Sequence, residues 1–392
     1  MVGLLWLAYF LNYVDRQVVF SILPVLQKEL GFSSTQLGLI GSIFLWVYSL
    51  TCPPAGRLAD RVRREWLLPA SLVLWSLATL ATGLSGTITA LLVWRGVMGI
   101  TEGLYFPAAV SVLGGLHPGA TRSRAISIHG TAQFAGIAFG GWFGGWMAET
   151  WGWRWGFAAL AVAGMAYAPL LGAGLGRLPA VEAAAASRTR PADLLASGCF
   201  RALALAFFAF CAVLWMLYAW LPNFLYERFG LGLAEAGFTA TLYLQAGSAA
   251  GILCGGAIAD WASRRLPAGR FYIAALGLLI SSPLAWLTFT APSLAWLKAF
   301  AAAFGFFAGL LMSNTVASAY DVIPPANYGL AAGVLTLVGG LAGGLGVFSI
   351  GRWKESLGVE TLVGWGAAAG VAAALLLGVV AATRFPASVA DR

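Results

Sequence analysis

Two opposite charges sit side by side halfway along an apolar run. Asp15 and Arg16 interrupt the stretch from Val2 to Leu26, which at a rise of about 1.5 Å per residue exceeds the roughly 30 Å hydrocarbon core of a bilayer. Charges at that depth cost about 2.5 to 3.5 kcal/mol each on insertion scales, so a chain keeps them only where they face a partner or a water-filled path. Any fold must therefore pack this segment against others with its charged face turned away from lipid. The bland alternative for Asp15 and Arg16 is an inert buried ion pair.

Composition extends that reading to the whole chain. Hydrophobic residues make up 60% of the 392 positions and charged residues only 10%, against about 45 to 50% and about 25% in soluble domains. The chain reads as an integral membrane protein. Its first apolar segment is too long and too charged at the centre for a cleavable signal peptide, and it lacks a small-residue cleavage site. Cys52, Cys199, Cys211 and Cys254 match no metal spacing and are expected as free thiols, with no metal or cofactor implied.

Apolar segments of spanning length fall near 2–27, 34–56, 66–86, 88–115, 123–148 and 154–176, then near 200–226, 234–259, 271–290, 294–319, 328–351 and 362–383. Twelve spans are expected. A polar stretch containing Pro179, Ser187 and Pro191 separates the two sets, which predicts bundles at 1–176 and 200–392 joined by a linker at 177–199. With the first residue inside, the cytoplasmic loops and tail collect fifteen basic residues: Arg57, Arg61, Arg63, Arg64, Arg122, Arg124, Arg177, Arg188, Arg190, Arg201, Arg264, Arg265, Arg270, Arg384 and Arg392. External connections hold only Lys28, Arg154, Arg228, Arg352 and Lys354. The positive-inside rule then puts both termini in the cytoplasm and absorbs much of the net charge of +8, so nucleic acid is not implied as a partner.

The halves repeat. Gly56, Leu58, Ala59, Asp60, Arg61 and Arg64 follow the second segment, and Gly256, Ala259, Asp260, Arg264 and Arg265 follow the eighth. Gly31 matches Gly230, and Arg95 in the fourth segment matches Lys298 in the tenth. Two six-helix halves in parallel orientation resemble the major facilitator superfamily: an all-α membrane fold of twelve helices with a site between the halves at midmembrane. The loop at Asp60 resembles that superfamily's cytoplasmic signature, with Arg63 where the family usually has glycine. That resemblance implies gating roles for Asp60, Arg61, Arg64, Asp260 and Arg264. Gly136, Gly140, Gly141, Gly144 and Gly145 resemble the superfamily's glycine motif without its usual proline, and close helix packing accounts for them.

The fourth segment carries Arg95 and Glu102, seven residues or nearly two turns apart on one face. Together with Asp15 and Arg16 these charges sum to zero, so all four can be buried. Protonating either carboxylate would leave an arginine free to pair with an anion. Asn12, Tyr13, Asp15 and Arg16, taken with Arg95, Gly99, Glu102, Gly103, Pro107 and Ala108, resemble the anion:cation symporters, which take up organic anions such as sugar acids with protons. The resemblance implies that Asp15 and Glu102 carry protons. It implies that Arg16 and Arg95 bind the anion or act as charge partners, and that Tyr13 contacts the substrate. In the fifth segment, His129 and Gln133 share a face and are candidates for substrate hydrogen bonds, as is Asn314 in the second half. Gly305 stands where the repeat would put a second Glu102, so coupling is expected in the first half alone.

The function implied is proton-coupled import of a small organic anion by alternating access, in an inner membrane, by a monomer. Tyr13, Asp15 and Arg16, with Gly38, Leu39, Ser42 and Phe44 of the second segment, are also similar to Spinster-type lysolipid transporters, which keeps an amphipathic substrate as the alternative. No His-Glu-x-x-His, Gly-x-Ser-x-Gly or phosphate-loop pattern supports an enzyme.

Overall fold

The computed structural model describes residues 1–117, 119–177, 194–324 and 327–390, apart from the side chains at 56, 57, 59–61, 64, 119, 120, 122, 123 and 386–390. Most of the expected linker, 178–193, lies outside the described residues, as do the side chains of Asp60, Arg61 and Arg64. What is described is all helix. In chain order the helices are α1 (Val2–Ser21), α2 (Leu23–Leu30), α3 (Ser34–Arg61), α4 (Arg64–Leu84), α5 (Ile88–Gly103), α6 (Tyr105–Leu116), α7 (Gly119–Thr150) and α8 (Trp153–Leu175). They continue as α9 (Gly198–Phe229), α10 (Leu233–Ser263), α11 (Gly269–Thr290), α12 (Leu294–Tyr320), α13 (Tyr328–Leu357) and α14 (Val359–Ala390).

Ten stretches among the described residues are long and apolar enough to cross a membrane, with α5 and α6 counted as one. The two long helices left out are α1 and α7. Asn12, Asp15, Arg16 and Gln17 lower the hydropathy of α1, and His129, Gln133 and many glycines lower that of α7. Low hydropathy in a helix of this length marks a helix packed on others rather than bathed in lipid.

Two expected segments are broken. The first is interrupted at Ile22, just before Pro24, and the fourth at Leu104, just before Pro107. Proline lacks an N–H and its ring collides with the carbonyl four residues back, here Phe20 and Gly103, so each helix ends within two residues of that carbonyl. The repeat survives in the backbone. Gly31 and Gly230 both take positive φ, 68° and 63°, after α2 and α9. Thr87 caps α5 and Ser293 caps α12, each accepting from the backbone N–H three residues on.

Two compact units divide the chain: Met1–Ala186 with Tyr218–Thr241, and Ser187–Leu217 with Leu242–Arg392. In the first, glycines let α7 lie directly on α1. A Cβ at Gly136 would stand 2.7 Å from the Phe10 carbonyl, one at Gly140 would stand 3.0 Å from Val14 Cα, and one at Gly144 would stand 2.8 Å from the Val18 carbonyl. In the second, Gly247, Gly251 and Gly255 of α10 bring it against Ala302, Phe306 and Leu310 of α12. The ladder on α7 is the one expected from the sequence.

Candidate functional site

The charged residues of α1 and α5 meet inside the first unit. Arg16 Nε donates to Glu102 Oε2 at 2.7 Å, and both side chains are buried, 5% and 0% exposed. The helices are brought together by small residues. A Cβ at Gly99 would stand 2.9 Å from the Phe44 carbonyl, and one at Gly103 would stand 3.1 Å from Thr51, so α5 lies against α3. That approach puts aromatic faces of α3 on the guanidinium. Arg16 lies 4.2 Å from the Tyr48 ring centre, 5.1 Å from Phe44 and, on its own helix, 4.7 Å from Tyr13. Cation–π attraction at a desolvated site adds about 2 kcal/mol and fixes the plane of the guanidinium.

Arg95 is fully buried and reaches no carboxylate within ion-pair distance among the described residues. Its Nε donates to the Ile40 carbonyl at 3.4 Å, its Nη1 lies 3.2 Å from Met98 Sδ, and it stacks 4.7 Å from the Phe44 ring centre. Asp15 is 3% exposed and interacts electrostatically with Glu102 and Arg95. Around these groups gathers a set of buried atoms with no hydrogen-bond partner in the protein. They are both amide atoms of Asn12, Asp15 Oδ1, Arg16 Nη2, Trp75 Nε1, Thr79 Oγ1, Arg95 Nη2 and Glu102 Oε1. Each such atom costs about 1 to 3 kcal/mol, so a fold built for stability alone would not concentrate them in one place. They fit a site that exchanges partners, a proton or an anion among them.

Apart from Tyr13, which stacks on Arg16, the other candidates make different contacts. Tyr13 is half-buried, with its ring edge-on to Tyr9 and its hydroxyl 3.5 Å from that of Tyr9. His129 is buried, stacked on Tyr9 at 4.5 Å and 3.4 Å from the Tyr105 hydroxyl, which itself donates to the Leu5 carbonyl. Gln133 is half-buried one turn along α7. In the second unit, the Asn314 amide donates to the Gly255 and Leu310 carbonyls, holding α12 to α10. Gln245, Ser248 and Ser318 there are buried, with side-chain atoms that lack partners.

Of the gating residues, Asp260 and Arg264 are described. Asp260 accepts from Arg270 Nη2 at 2.9 Å, and Arg270 Nη1 reaches Asp321 at 2.9 Å, while Arg264 is exposed. Arg270 and Asp321 were not singled out by the repeat, because no residue of the first loop marks their places. Asn12, Phe44, Tyr48, Trp75 and Thr79 were likewise unassigned. Asn12 stands inside the Asn12–Arg16 motif and carried a signal, whereas Trp75 and Thr79 read as ordinary residues of an apolar helix.

Residues 5–347 match the family described as Major Facilitator Superfamily. The chain is 26% identical over 360 residues to the D-galactonate transporter of Escherichia coli O6:H1, covering 84% of this chain and 83% of that one. It is 25% identical over 376 residues to the probable galactarate/D-glucarate transporter GudP of Bacillus subtilis, covering 87% and 82%. It is 29% identical over 276 residues to the probable sulfoacetate transporter SauU of Cupriavidus necator, covering 66% and 64%. Among solved structures, a bacterial homologue of the human lysosomal transporter Spinster, inward-facing and unoccupied, superposes with a TM-score of 0.78 at 22% identity over 99% of this chain and 96% of that one. At that identity the likeness is one of fold.

Proposed function

The chain belongs to the major facilitator superfamily, and on that premise we propose that it imports a small organic anion together with protons by alternating access. It is a multi-pass membrane transporter rather than an enzyme. The relatives named for galactonate, glucarate and sulfoacetate share one substrate feature, a carboxylate or sulfonate on a small polar body. A guanidinium is the side chain best suited to such a group, since it offers parallel N–H donors and keeps its charge out of water.

The observation that carries the reading is the buried Arg16–Glu102 pair with its ring of unpartnered polar atoms. While Glu102 is ionised it occupies Arg16. Protonation frees the guanidinium, and the anion takes the place of the carboxylate, so proton and anion bind together. By reciprocity, release of the proton on the other side of the membrane expels the anion. Asp15 serves as a second proton carrier, and Arg95 balances the charge of the cluster. Tyr13 and Gln133 contact the substrate, with His129 and Asn314 supporting their helices. Asp60 with Arg61 and Arg64, and Asp260 with Arg264, latch the inner face. Both termini lie in the cytoplasm, the membrane is the bacterial inner membrane, and twelve spans divide six and six between residues 1–176 and 200–392.

The test is uptake of radiolabelled D-galactonate, D-glucarate and sulfoacetate into proteoliposomes under an acid exterior. Accumulation of at least one above its external level, abolished by a protonophore, is expected. Two protons with a monovalent anion import net positive charge, so an inside-negative potential should speed uptake, each charge being worth about 2.3 kcal/mol per 100 mV. Uptake of a lysolipid with none of the anions overturns the reading in favour of an amphipathic substrate.

A further inference from the structure

A line of rings runs from α7 to the guanidinium of Arg16. His129 lies flat on Tyr9, with ring centres 4.5 Å apart and planes 11° from parallel. Tyr9 meets Tyr13 edge to face at 5.0 Å, and the Tyr13 ring centre lies 4.7 Å from the Arg16 guanidinium. Tyr9, His129 and Arg16 are buried, whereas Tyr13 is half-buried. Every link is a direct contact, and all four residues belong to the first unit.

Both ends of the line are fixed. Tyr105 O–H donates to the Leu5 carbonyl at 2.6 Å, so its oxygen is left to accept from His129 Nε2, 3.4 Å away. That contact selects the tautomer with its proton on Nε2. Trp75 of α4 in turn holds Tyr105 edge-on at 5.6 Å. At the other end, Gly136 is two turns along α7 from His129 and on the same face. It lies so close to α1 that a Cβ there would stand 2.8 Å from Tyr13 Cβ. Thus α7 fixes Tyr13 at its base directly and at its ring through Tyr9. With one face on Tyr9, Nε2 on Tyr105 and only 1% of its surface exposed, the imidazole itself is out of reach of a substrate. We infer that His129 is a positioning residue for the anion site: through Tyr9 it sets the Tyr13 ring, and Tyr13 sets the plane in which Arg16 presents its donors. A guanidinium binds a carboxylate by two parallel N–H groups, so its affinity depends on that plane. The inference rests on the proposed anion binding by Arg16, and adds a determinant of affinity that touches neither anion nor proton.

One readout needs no ligand. Fluorine NMR of the full chain in detergent, labelled with 3-fluorotyrosine, gives a Tyr13 signal identified by its loss in Tyr13→Phe. His129→Ala and Tyr9→Leu should each shift or broaden that signal, and His129→Phe, which keeps a flat ring on Tyr9, should leave it in place. The other readout is binding and exchange of radiolabelled D-galactonate in proteoliposomes. His129→Ala should raise Kd and KM up to about tenfold, the worth of one aromatic contact, with exchange at saturation and the response to an acid exterior unchanged. His129→Phe should restore affinity to within about twofold of the wild type. Tyr9→Leu cuts the line at a second place and serves should His129→Ala fail to fold. A Tyr13 signal that stays in place in both His129→Ala and Tyr9→Leu overturns the inference. So does a His129→Phe protein that binds as poorly as His129→Ala, which would put the imidazole on the substrate. A His129→Phe protein that keeps its affinity but no longer accumulates the anion under an acid exterior also overturns it, by making the imidazole a proton carrier. If the wild type takes up none of D-galactonate, D-glucarate and sulfoacetate, the proposed function fails instead, and the Tyr13 signal still decides whether α7 sets the ring.

Discussion

The fifth helix of the first unit and its counterpart in the second use matching positions for opposite purposes. On α5, Arg95 and Glu102 are fully buried. On α12, the same places hold Lys298, half-buried with its ammonium 5.4 Å from the Tyr243 ring centre, and Gly305. A Cβ at Gly305 would run into the Leu244 carbonyl of α10, so the position that carries a carboxylate in one unit is occupied by a neighbouring backbone in the other. The buried groups without partners follow the same division. They include four charged side chains in the first unit, but in the second they are the neutral Gln245, Ser248 and Ser318. A repeat of the fold is therefore not a repeat of the chemistry. One unit has kept charge where protonation can matter, and the other has kept neutral hydrogen-bonding groups and tighter helix packing.

The comparison can be broken most severely at Arg16. Arg16→Ala should remove anion binding, a loss of about a hundredfold or more, because truncating one member of a buried charged contact costs about 2 to 5 kcal/mol. Equilibrium binding of radiolabelled D-galactonate checks this, with size-exclusion chromatography confirming the fold. Glu102→Gln should abolish accumulation driven by an acid exterior yet keep exchange of internal for external anion. If Glu102→Gln still concentrates the anion, the first unit has no special claim on coupling.

Gly305→Ala probes the other side of the comparison. The added methyl group should force α12 away from α10 at a cost of about 1 to 3 kcal/mol, read as a fall of a few degrees in melting temperature. Its pH dependence of uptake should match the wild type. A smaller effect is expected at Gln245→Ala, which removes a buried neutral amide that has no partner in the protein. KM should rise by up to about tenfold with no change in the response to a pH gradient, since the group does not titrate. A change in that response would show that the second unit takes part in coupling.

The smallest effect lies at Glu29, near the end of α2 and remote from both clusters. Its carboxylate accepts from Arg154 Nη1 and from Trp153 Nε1, the latter at 2.9 Å. The hydrogen bond from Arg154 holds the Glu29 carboxyl below its ordinary value. A carboxyl with a lowered folded value stabilises the fold above its unfolded value, and that contribution is lost as pH falls through the folded one. The contact is more than a third exposed, so solvent screens it. Glu29→Gln should therefore leave the melting temperature nearly unchanged at acid pH and lower it slightly near neutrality, measured by differential scanning fluorimetry between the two conditions.

The sequence by itself determined the class of fold and the members of the charged cluster. Asp15, Arg16, Arg95 and Glu102 are conspicuous because water-free surroundings make every charge costly, and nothing in the local pattern hides them. The glycine ladders were legible for a related reason, since small residues at every fourth place have one use in an apolar helix, the close approach of another. The sequence could not determine the pairing. Spacing put Arg95 on the same face as Glu102, but the ion pair at Glu102 is made by Arg16, 86 positions earlier in the chain. Nor did it separate the prolines that break a helix, Pro24 and Pro107, from Pro69 and Pro169, which lie inside α4 and α8. Neighbouring helices can satisfy or abandon the carbonyl a proline frees, so the outcome belongs to the packing. Trp75 and Thr79 were invisible for the same reason. An indole or a hydroxyl in an apolar helix is ordinary until the tertiary structure buries it without a partner, and which groups end up so is decided by the contacts of all the helices together.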